Sequence, residues 1–219
     1  TGGAVAAQAA LAQMALAAGL YAGPVPGAKA LPMQGAWTPE AGVISSPEAG
    51  ASSSPEGGAR ARPRIAVVFY RSYLVAADLA PVEAVFAAMR ARGFDVIGLF
   101  APSLKAPDAA KWLEKNILKL SPKAIINATS FSGRGGNGRS PLDVAEVPVF
   151  QVALSTATKK AWSEAERGLS PADLAMHVVL PEVDGRIFAG VASFKEPQAQ
   201  DPALEFSRFA HSPVPDRID

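Results

Sequence analysis

The sequence predicts an α/β protein with a doubly wound, mostly parallel sheet, and two observations support this class. Short apolar runs recur along residues 64–196, rich in β-branched and aromatic residues as buried strands are. Segments with apolar residues at helical spacing lie between these runs. Strands that alternate with helices imply right-handed crossovers and a parallel sheet of the flavodoxin or Rossmann type.

The elements follow one another in a regular order. We predict strands at 65–70, 95–100, 124–129 and 147–154. We predict helices at 80–93, 107–120, 157–168 and 170–178. Gly93 stands where the first helix needs a C-cap, and Ser170 with Pro171 forms a start signal for the last. The apolar runs HVVL and IFAGVASF predict two further strand-like segments, separated by a turn that begins at Pro181.

The regions outside this pattern are simpler in composition. Residues 4–20 are rich in Ala and include two Gln, which predicts a soluble helix and not a membrane span. Residues 45–62 repeat SSPEAG as SSPEGG, with few large apolar side chains, and predict a disordered linker. We therefore divide the chain into an N-terminal helix and Pro/Gly-rich segment (1–44), a flexible linker (45–62), an α/β domain (63–196) and a Pro-rich tail (197–219).

Composition excludes several functions. With 21 basic and 20 acidic residues, the chain lacks the basic excess that nucleic acid or an anionic membrane requires of a partner. The chain has no Cys, which excludes disulfides, thiolate catalysis and Cys-based zinc sites, and is compatible with the cytoplasm we expect. Two His residues argue against a His-rich metal site. Because the first residue is Thr1, we expect a fragment or a processed chain.

The Gly-rich segment 133–140 follows the third predicted strand and nearly fits the phosphate-binding pattern G-x-x-x-x-G-K-S. Arg139 replaces the Lys, and Pro141 interrupts the helix whose N-terminus should face the phosphates. Three interpretations remain open: a phosphate site, a loop whose Arg134 and Arg139 bind ligand carboxylates, and a plain surface loop. The first βα turn, 70–80, has no Gly, which disfavours a dinucleotide fingerprint.

Ligands of doubly wound sheets bind at the carboxyl ends of the strands, where Asn127 is expected to lie. Asn127 is a candidate hydrogen-bond donor to a ligand, and the alternative is that it satisfies the loop backbone. No nucleophilic triad is recognisable. His177, at a predicted passage from helix to strand, is either a packed residue or a metal ligand, and we expect His211 to be solvated.

Two acids follow Pro181 in the stretch LPEVDGRIF. Asp184 with Gly185 is a turn signal, so we expect the Asp184 side chain to fold onto its own backbone. No turn rule requires Glu182, which makes it the freer carboxylate for chemistry. The two interpretations of Glu182, structural and functional, stay open at this point.

Several stretches together resemble a known family. The ordered series is FYR, LFAPSLK, INAT, GLSPADLAM and LPEVDGRI, within residues 62–196. They resemble the large subunit of aerobic-type cobaltochelatase, which is related to the porphyrin-binding subunit of magnesium chelatase. Because that subunit is several times longer, the resemblance implies that this chain is a fragment of it.

The resemblance implies a function in cobalamin synthesis. Co²⁺ would be the substrate metal, inserted into hydrogenobyrinic acid a,c-diamide, while ATP and Mg²⁺ would bind two smaller subunits, one an AAA+ ATPase. Glu182 would accept a proton or hold the metal transiently, with His177 as a second candidate ligand. The substrate-binding candidates are Arg71, Asn127, Arg134, Arg139 and Arg186. The alternative is a non-catalytic α/β module that binds ligand or docks partner subunits.

Overall fold

A computed structural model describes residues 3–25, 27, 30–50, 62–199 and 207–218. Its eight strands are β1 (Gly35–Thr38), β2 (Gly42–Ile44), β3 (Arg64–Tyr70), β4 (Asp95–Ala101), β5 (Ala124–Asn127), β6 (Val149–Leu154), β7 (Ile187–Pro197) and β8 (Phe209–Pro213). Its helices are α1 (Gly3–Ala17), α2 (Arg71–Ala76), α3 (Ala80–Ala91), α4 (Pro107–Leu120), α5 (Lys159–Glu164), α6 (Pro171–Leu174), α7 (Leu180–Val183) and α8 (Pro215–Ile218). Short 3-10 turns occupy Pro47–Gly50 and Pro141–Ala145, and Ala175–Val179 is π-helical.

One sheet contains all eight of these strands, in the order β2-β1-β4-β3-β5-β6-β7-β8. Strands β3 to β7 are parallel, and β1, β2 and β8 pair antiparallel at its two sides. The parallel part, β4-β3-β5-β6-β7, has the flavodoxin order 2-1-3-4-5. The predicted fold class, a doubly wound α/β sheet, is confirmed.

The alternation of side chains along the strands separates two apolar cores. Val68 of β3 packs with α4 on one face, and Phe69 packs with α3 on the other. Both side chains are fully buried, so β3 carries apolar residues on both faces. This explains why its sequence is a continuous apolar run and not an alternating one.

The N-terminal region contributes a hairpin that the sequence did not predict. Strand β1 pairs with β4, and Trp37 lies 3% exposed with its ring edge-on to Phe69 and Phe86. Gly98 of β4 makes room for this contact, because a Cβ there would come within 2.9 Å of the Trp37 carbonyl oxygen. Part of the segment 1–44 therefore packs on the α/β sheet. Most of the predicted linker, residues 51–61, lies outside the described residues.

The predicted tail also enters the sheet. Strand β8 pairs with β7, and His211 is buried, so the prediction of a solvated His211 was wrong. The sequence did not predict this strand because Pro213 lies within it. An edge strand nevertheless tolerates proline, because the N–H groups on its outer side do not join the hydrogen-bond ladder. The sheet thus takes strands from outside the predicted range 63–196.

The segment before Asp184 is helical and not a strand. Residues 171–183 run as α6, the π-helical Ala175–Val179 and α7, so the strand predicted from HVVL was wrong. Pro181 was expected to end the element but lies inside its last turns. Proline offers no N–H to the carbonyl four residues earlier, and directly before it the Leu180 N–H bonds to the Ala175 carbonyl in the π-type pattern.

Candidate functional site

The strand order places the topological switch point between β3 and β5, where α/β proteins bind ligands. The carboxyl end of β3 contacts the loop that leaves β5 there. The Tyr70 hydroxyl donates to the Ser130 carbonyl oxygen at 2.7 Å and accepts from the Ser130 N–H at 3.2 Å. The loop after β5 then continues through the Gly-rich segment 133–140 toward β6.

Asp184 does not fold onto its own backbone, contrary to the sequence-based expectation. Its side chain is 1% exposed and accepts hydrogen bonds from the Ser132 hydroxyl at 2.7 Å and the Gly133 N–H at 2.6 Å. Backbone groups alone satisfy the turn, because the Asp184 N–H donates to the Pro181 carbonyl. The carboxylate is therefore available to bind the loop after β5.

Arg186 is buried beside the far end of the same loop. Its side chain is 5% exposed, and Nη1 lies 2.7 Å from Asp143 Oδ1. Asp143 also accepts from the Ser140 N–H at 2.9 Å, which closes a capping box on the turn Pro141–Ala145. Arg186 Nη2 is buried and has no hydrogen-bond partner within the described part of the chain.

Arg134 and Arg139 lie on the exposed part of the Gly-rich segment. Arg134 Nε is 3.5 Å from Asp184 Oδ1, while the Arg134 side chain remains 45% exposed. The Gly135 N–H donates to the Arg139 carbonyl oxygen, so the segment folds back on itself between the two arginines. The segment leads into a five-residue 3-10 turn and lacks the long helix of a phosphate-binding loop.

Two other predicted binding residues are engaged by other parts of the chain. Arg71 donates from Nε and Nη2 to the carbonyl oxygens of Pro32 and Leu31 and so holds the N-terminal segment. Asn127 is 2% exposed, and its amide group bonds to Gln151 and Thr129. These contacts match the alternative in which Asn127 satisfies local structure, and ligand binding by either residue stays a prediction.

Glu182 and His177, both within the helical residues 171–183, differ in exposure to solvent. Glu182 is exposed, whereas His177 is 4% exposed, with Nε2 3.9 Å from Asp173 Oδ1. Burial lowers the pKa of His177, and the Asp173 carboxylate opposes this shift only in part. Among the residues described, no group of three His, Cys, Asp or Glu side chains is placed to hold a metal ion.

A buried carboxylate that the sequence did not single out lies beside His177. Asp173 accepts hydrogen bonds from the Ser155 hydroxyl at 2.6 Å and from the Thr156 hydroxyl at 2.9 Å. Burial alone would raise the pKa of Asp173, but these hydrogen bonds outweigh burial and keep it below its usual value. The N-cap signal at Ser170 predicted where this helix begins. The hydroxyl groups of Ser155 and Thr156, which follow β6, explain how a charged Asp173 can be buried.

The fold and the loop contacts define a class: a doubly wound α/β protein with an arginine-bearing loop clamped near the switch point of its sheet. A family model described as CobN/Magnesium Chelatase matches residues 4–219. The chain therefore belongs to the CobN/Magnesium Chelatase family, as the sequence resemblance indicated.

Individual relatives agree with this assignment. The chain is 36% identical over 197 residues to an aerobic cobaltochelatase subunit CobN from Sinorhizobium sp, covering 87% of this chain and 16% of the relative. It is 31% identical over 142 residues to a magnesium-chelatase subunit from Cereibacter sphaeroides, covering 59% and 12%. The chain thus spans about a sixth of the length of the Sinorhizobium relative.

A solved structure shows the same fold. The catalytic subunit of cobaltochelatase from Mycobacterium tuberculosis superposes with a TM-score of 0.70 at 22% identity, covering 99% of this chain and 17% of that one. None of the helices in the described part of the chain is long and apolar enough to cross a membrane.

Proposed function

We propose that this chain is a segment of the large, tetrapyrrole-binding subunit of a cytoplasmic, ATP-dependent cobaltochelatase, which inserts Co²⁺ into hydrogenobyrinic acid a,c-diamide. The observation that carries the proposal is the 36% identity to an aerobic cobaltochelatase subunit over 87% of the chain. Membership of the family supports metal insertion into a tetrapyrrole as the general reaction.

In this proposal ATP and Mg²⁺ bind two smaller subunits, one an AAA+ ATPase, and not this chain. The shape of the Gly-rich segment supports that division. Arg139 stands at the position of the phosphate-binding Lys, and the segment ends in a short 3-10 turn. In this proposal, the energy of ATP hydrolysis would therefore reach this chain through contacts between the subunits.

Metal insertion requires two pyrrole-type N–H protons to leave as a dehydrated dication enters the ring. An exposed carboxylate can accept such a proton or hold the metal briefly, since a hard oxygen ligand of modest affinity releases it again. Glu182 is exposed in the last turn of the helix 171–183, and we assign it this function. His177 is buried, so its participation as a ligand would require the helix to move.

The carboxylates at the corrin periphery need cationic partners, and guanidinium groups bind carboxylates with two parallel hydrogen bonds. Arg134 and Arg139 are exposed on one loop and are the candidates with accessible side chains. Arg71 and Arg186 would join them only by giving up internal contacts, which are two backbone carbonyl groups and Asp143 respectively.

The test of Glu182 uses the complete chelatase complex containing Glu182→Gln. We expect the rate of Co²⁺ insertion to fall roughly 100-fold, the typical contribution of a general base, while tetrapyrrole affinity is unchanged. Glu164→Gln is the matched control, because Glu164 is another exposed helical carboxylate. An insertion rate equal to wild type with tetrapyrrole binding intact would exclude Glu182 as the proton acceptor.

A second candidate function is a non-catalytic scaffold that docks partner subunits. The internal engagement of Arg71, Asn127 and Asp184 favours it, because these polar groups stabilise the fold without a ligand. Titrating the 219-residue chain with hydrogenobyrinic acid a,c-diamide separates the two. Quenching of Trp fluorescence that saturates supports tetrapyrrole binding by this chain, whereas an unchanged spectrum favours the scaffold or a site that further domains complete.

A further inference from the structure

The Gly-rich segment is fixed at both ends by residues from one turn. Asp184 binds its beginning through the Ser132 hydroxyl and the Gly133 N–H. Arg186 binds Asp143, 2.7 Å away, in the 3-10 turn that directly follows the segment. Asp184 and Arg186 are separated only by Gly185, whose φ of +77° makes the tight turn possible.

Each anchor lies next to one of the exposed arginines. The residues that Asp184 contacts are immediately followed by Arg134, whose Nε also lies 3.5 Å from the Asp184 carboxylate. At the other end, Asp143 accepts from the N–H of Ser140, the residue after Arg139. The two anchors therefore fix the stretches of backbone from which both arginine side chains extend.

Both anchoring side chains are shielded from water and make strong hydrogen bonds. The Asp184 side chain is 1% exposed and the Arg186 side chain 5%, so little water competes for their hydrogen bonds. Hydrogen bonds to an ionised partner are shorter and roughly twice as strong as neutral ones. The space around the start of the segment is also restricted, because a Cβ on Gly133 would lie 2.8 Å from Leu104 Cδ1.

We propose that Asp184 and Arg186 are positioning residues, which clamp the segment 132–143 so that Arg134 and Arg139 meet the carboxylates of the bound tetrapyrrole. This inference rests on the proposed chelatase function. Neither residue touches the substrate in this arrangement, since both act through the loop. A loop held in place before binding loses less entropy when the ligand arrives, which increases affinity.

The test measures binding of hydrogenobyrinic acid a,c-diamide to the complete large subunit by absorbance. Asp184→Asn keeps the size of the side chain but removes its charge and places an amide group near the Gly133 N–H. We expect Kd to rise about tenfold, and a tetrapyrrole with methyl-esterified carboxylates to bind wild type and variant equally. Asp173→Asn is the matched control: it also removes the charge of a fully buried, hydrogen-bonded Asp, but one that does not contact the loop.

A double-mutant cycle distinguishes positioning from general damage. In an Arg134→Ala, Arg139→Ala background, Asp184→Asn should cause no further rise in Kd, because the groups it positions are gone. A further tenfold rise there, or an equal loss in Asp173→Asn, would overturn the positioning role while leaving the chelatase function standing. If the wild-type subunit fails to bind the tetrapyrrole, the proposed function and this inference both fall.

Discussion

His211 Nδ1 lies 3.0 Å from the hydroxyl of Ser193 on the neighbouring strand, and both side chains are buried. The backbone N–H of His211 donates to Asp78 Oδ1 at 2.9 Å, and the imidazole lies edge-on to the ring of Tyr73. Strand β8 is thereby fastened to β7 and to the loop before α3. The C-terminal residues of this chain are a structural part of its sheet, and this has consequences for stability.

Stability should fall in mild acid. Burial lowers the pKa values of His177 and His211 below the ordinary 6.5, so the unfolded chain binds protons more readily than the folded one. The stabilisation that comes from burying neutral histidines is therefore complete above about pH 6.5. Below it, the free energy of unfolding decreases by up to about 1.4 kcal/mol per pH unit for each histidine. Urea unfolding at about pH 7.5 and about pH 5.5 measures this.

The double variant His177→Gln, His211→Gln is the control for the pH effect. Its free energy of unfolding should vary much less across the same interval, because glutamine does not titrate. Asp173 does not interfere, since its pKa is lowered from an ordinary value of 3.8, and its contribution is lost only in stronger acid. A wild-type protein equally stable at both pH values would contradict the burial of neutral histidines.

Trp37→Ala should destabilise the protein by about 3–5 kcal/mol, because it empties the space that the Trp37 ring fills against Phe69 and Phe86. The measurement is the free energy of unfolding from a urea titration. Leu20→Ala is the control, since Leu20 is 84% exposed and should change stability by less than about 0.5 kcal/mol. Equal stability of both variants would mean that the hairpin β1–β2 does not pack on the sheet.

Gly98→Ala should cost about 1–3 kcal/mol, because the added methyl group would contact the Trp37 carbonyl oxygen and the Phe69 and Phe86 rings at 2.9–3.2 Å. Gly136→Ala is the matched control, because among the described residues no atom beyond its chain neighbours lies within 4 Å of an added Cβ. Thermal unfolding should separate the two variants by several degrees. A Gly98→Ala protein as stable as Gly136→Ala would contradict the close approach of β1 to β4.

Asn127→Ala should reduce stability by about 1–3 kcal/mol, because it leaves the buried Gln151 and Thr129 without their amide partner. Combining it with Gln151→Ala should cost less than the sum of the two single changes, as expected for residues in one hydrogen-bond network. Calorimetry or urea unfolding measures the coupling. Additive losses would show that the two amide groups act independently.

The sequence determined the elements whose signals are local. Helix α4 was predicted at 107–120 and occupies those residues, since its cap and its apolar spacing lie within its own length. The apolar runs of β3 and β4 predicted buried strands within a residue of their ends. Because strands alternate with helices, the order of these elements also determined the doubly wound class.

Only the tertiary structure decided which groups meet across long separations. The loop after β5 receives Asp184 from 52 residues further along the chain, and no local rule could distinguish that from a turn that binds its own carboxylate. Strand β8 and the hairpin at Trp37 depend on partners that lie far away in sequence. A side chain such as Asp184 is compatible with several local patterns. Its hydrogen-bond partners are determined by the tertiary packing of the sheet, which excludes water around the carboxylate.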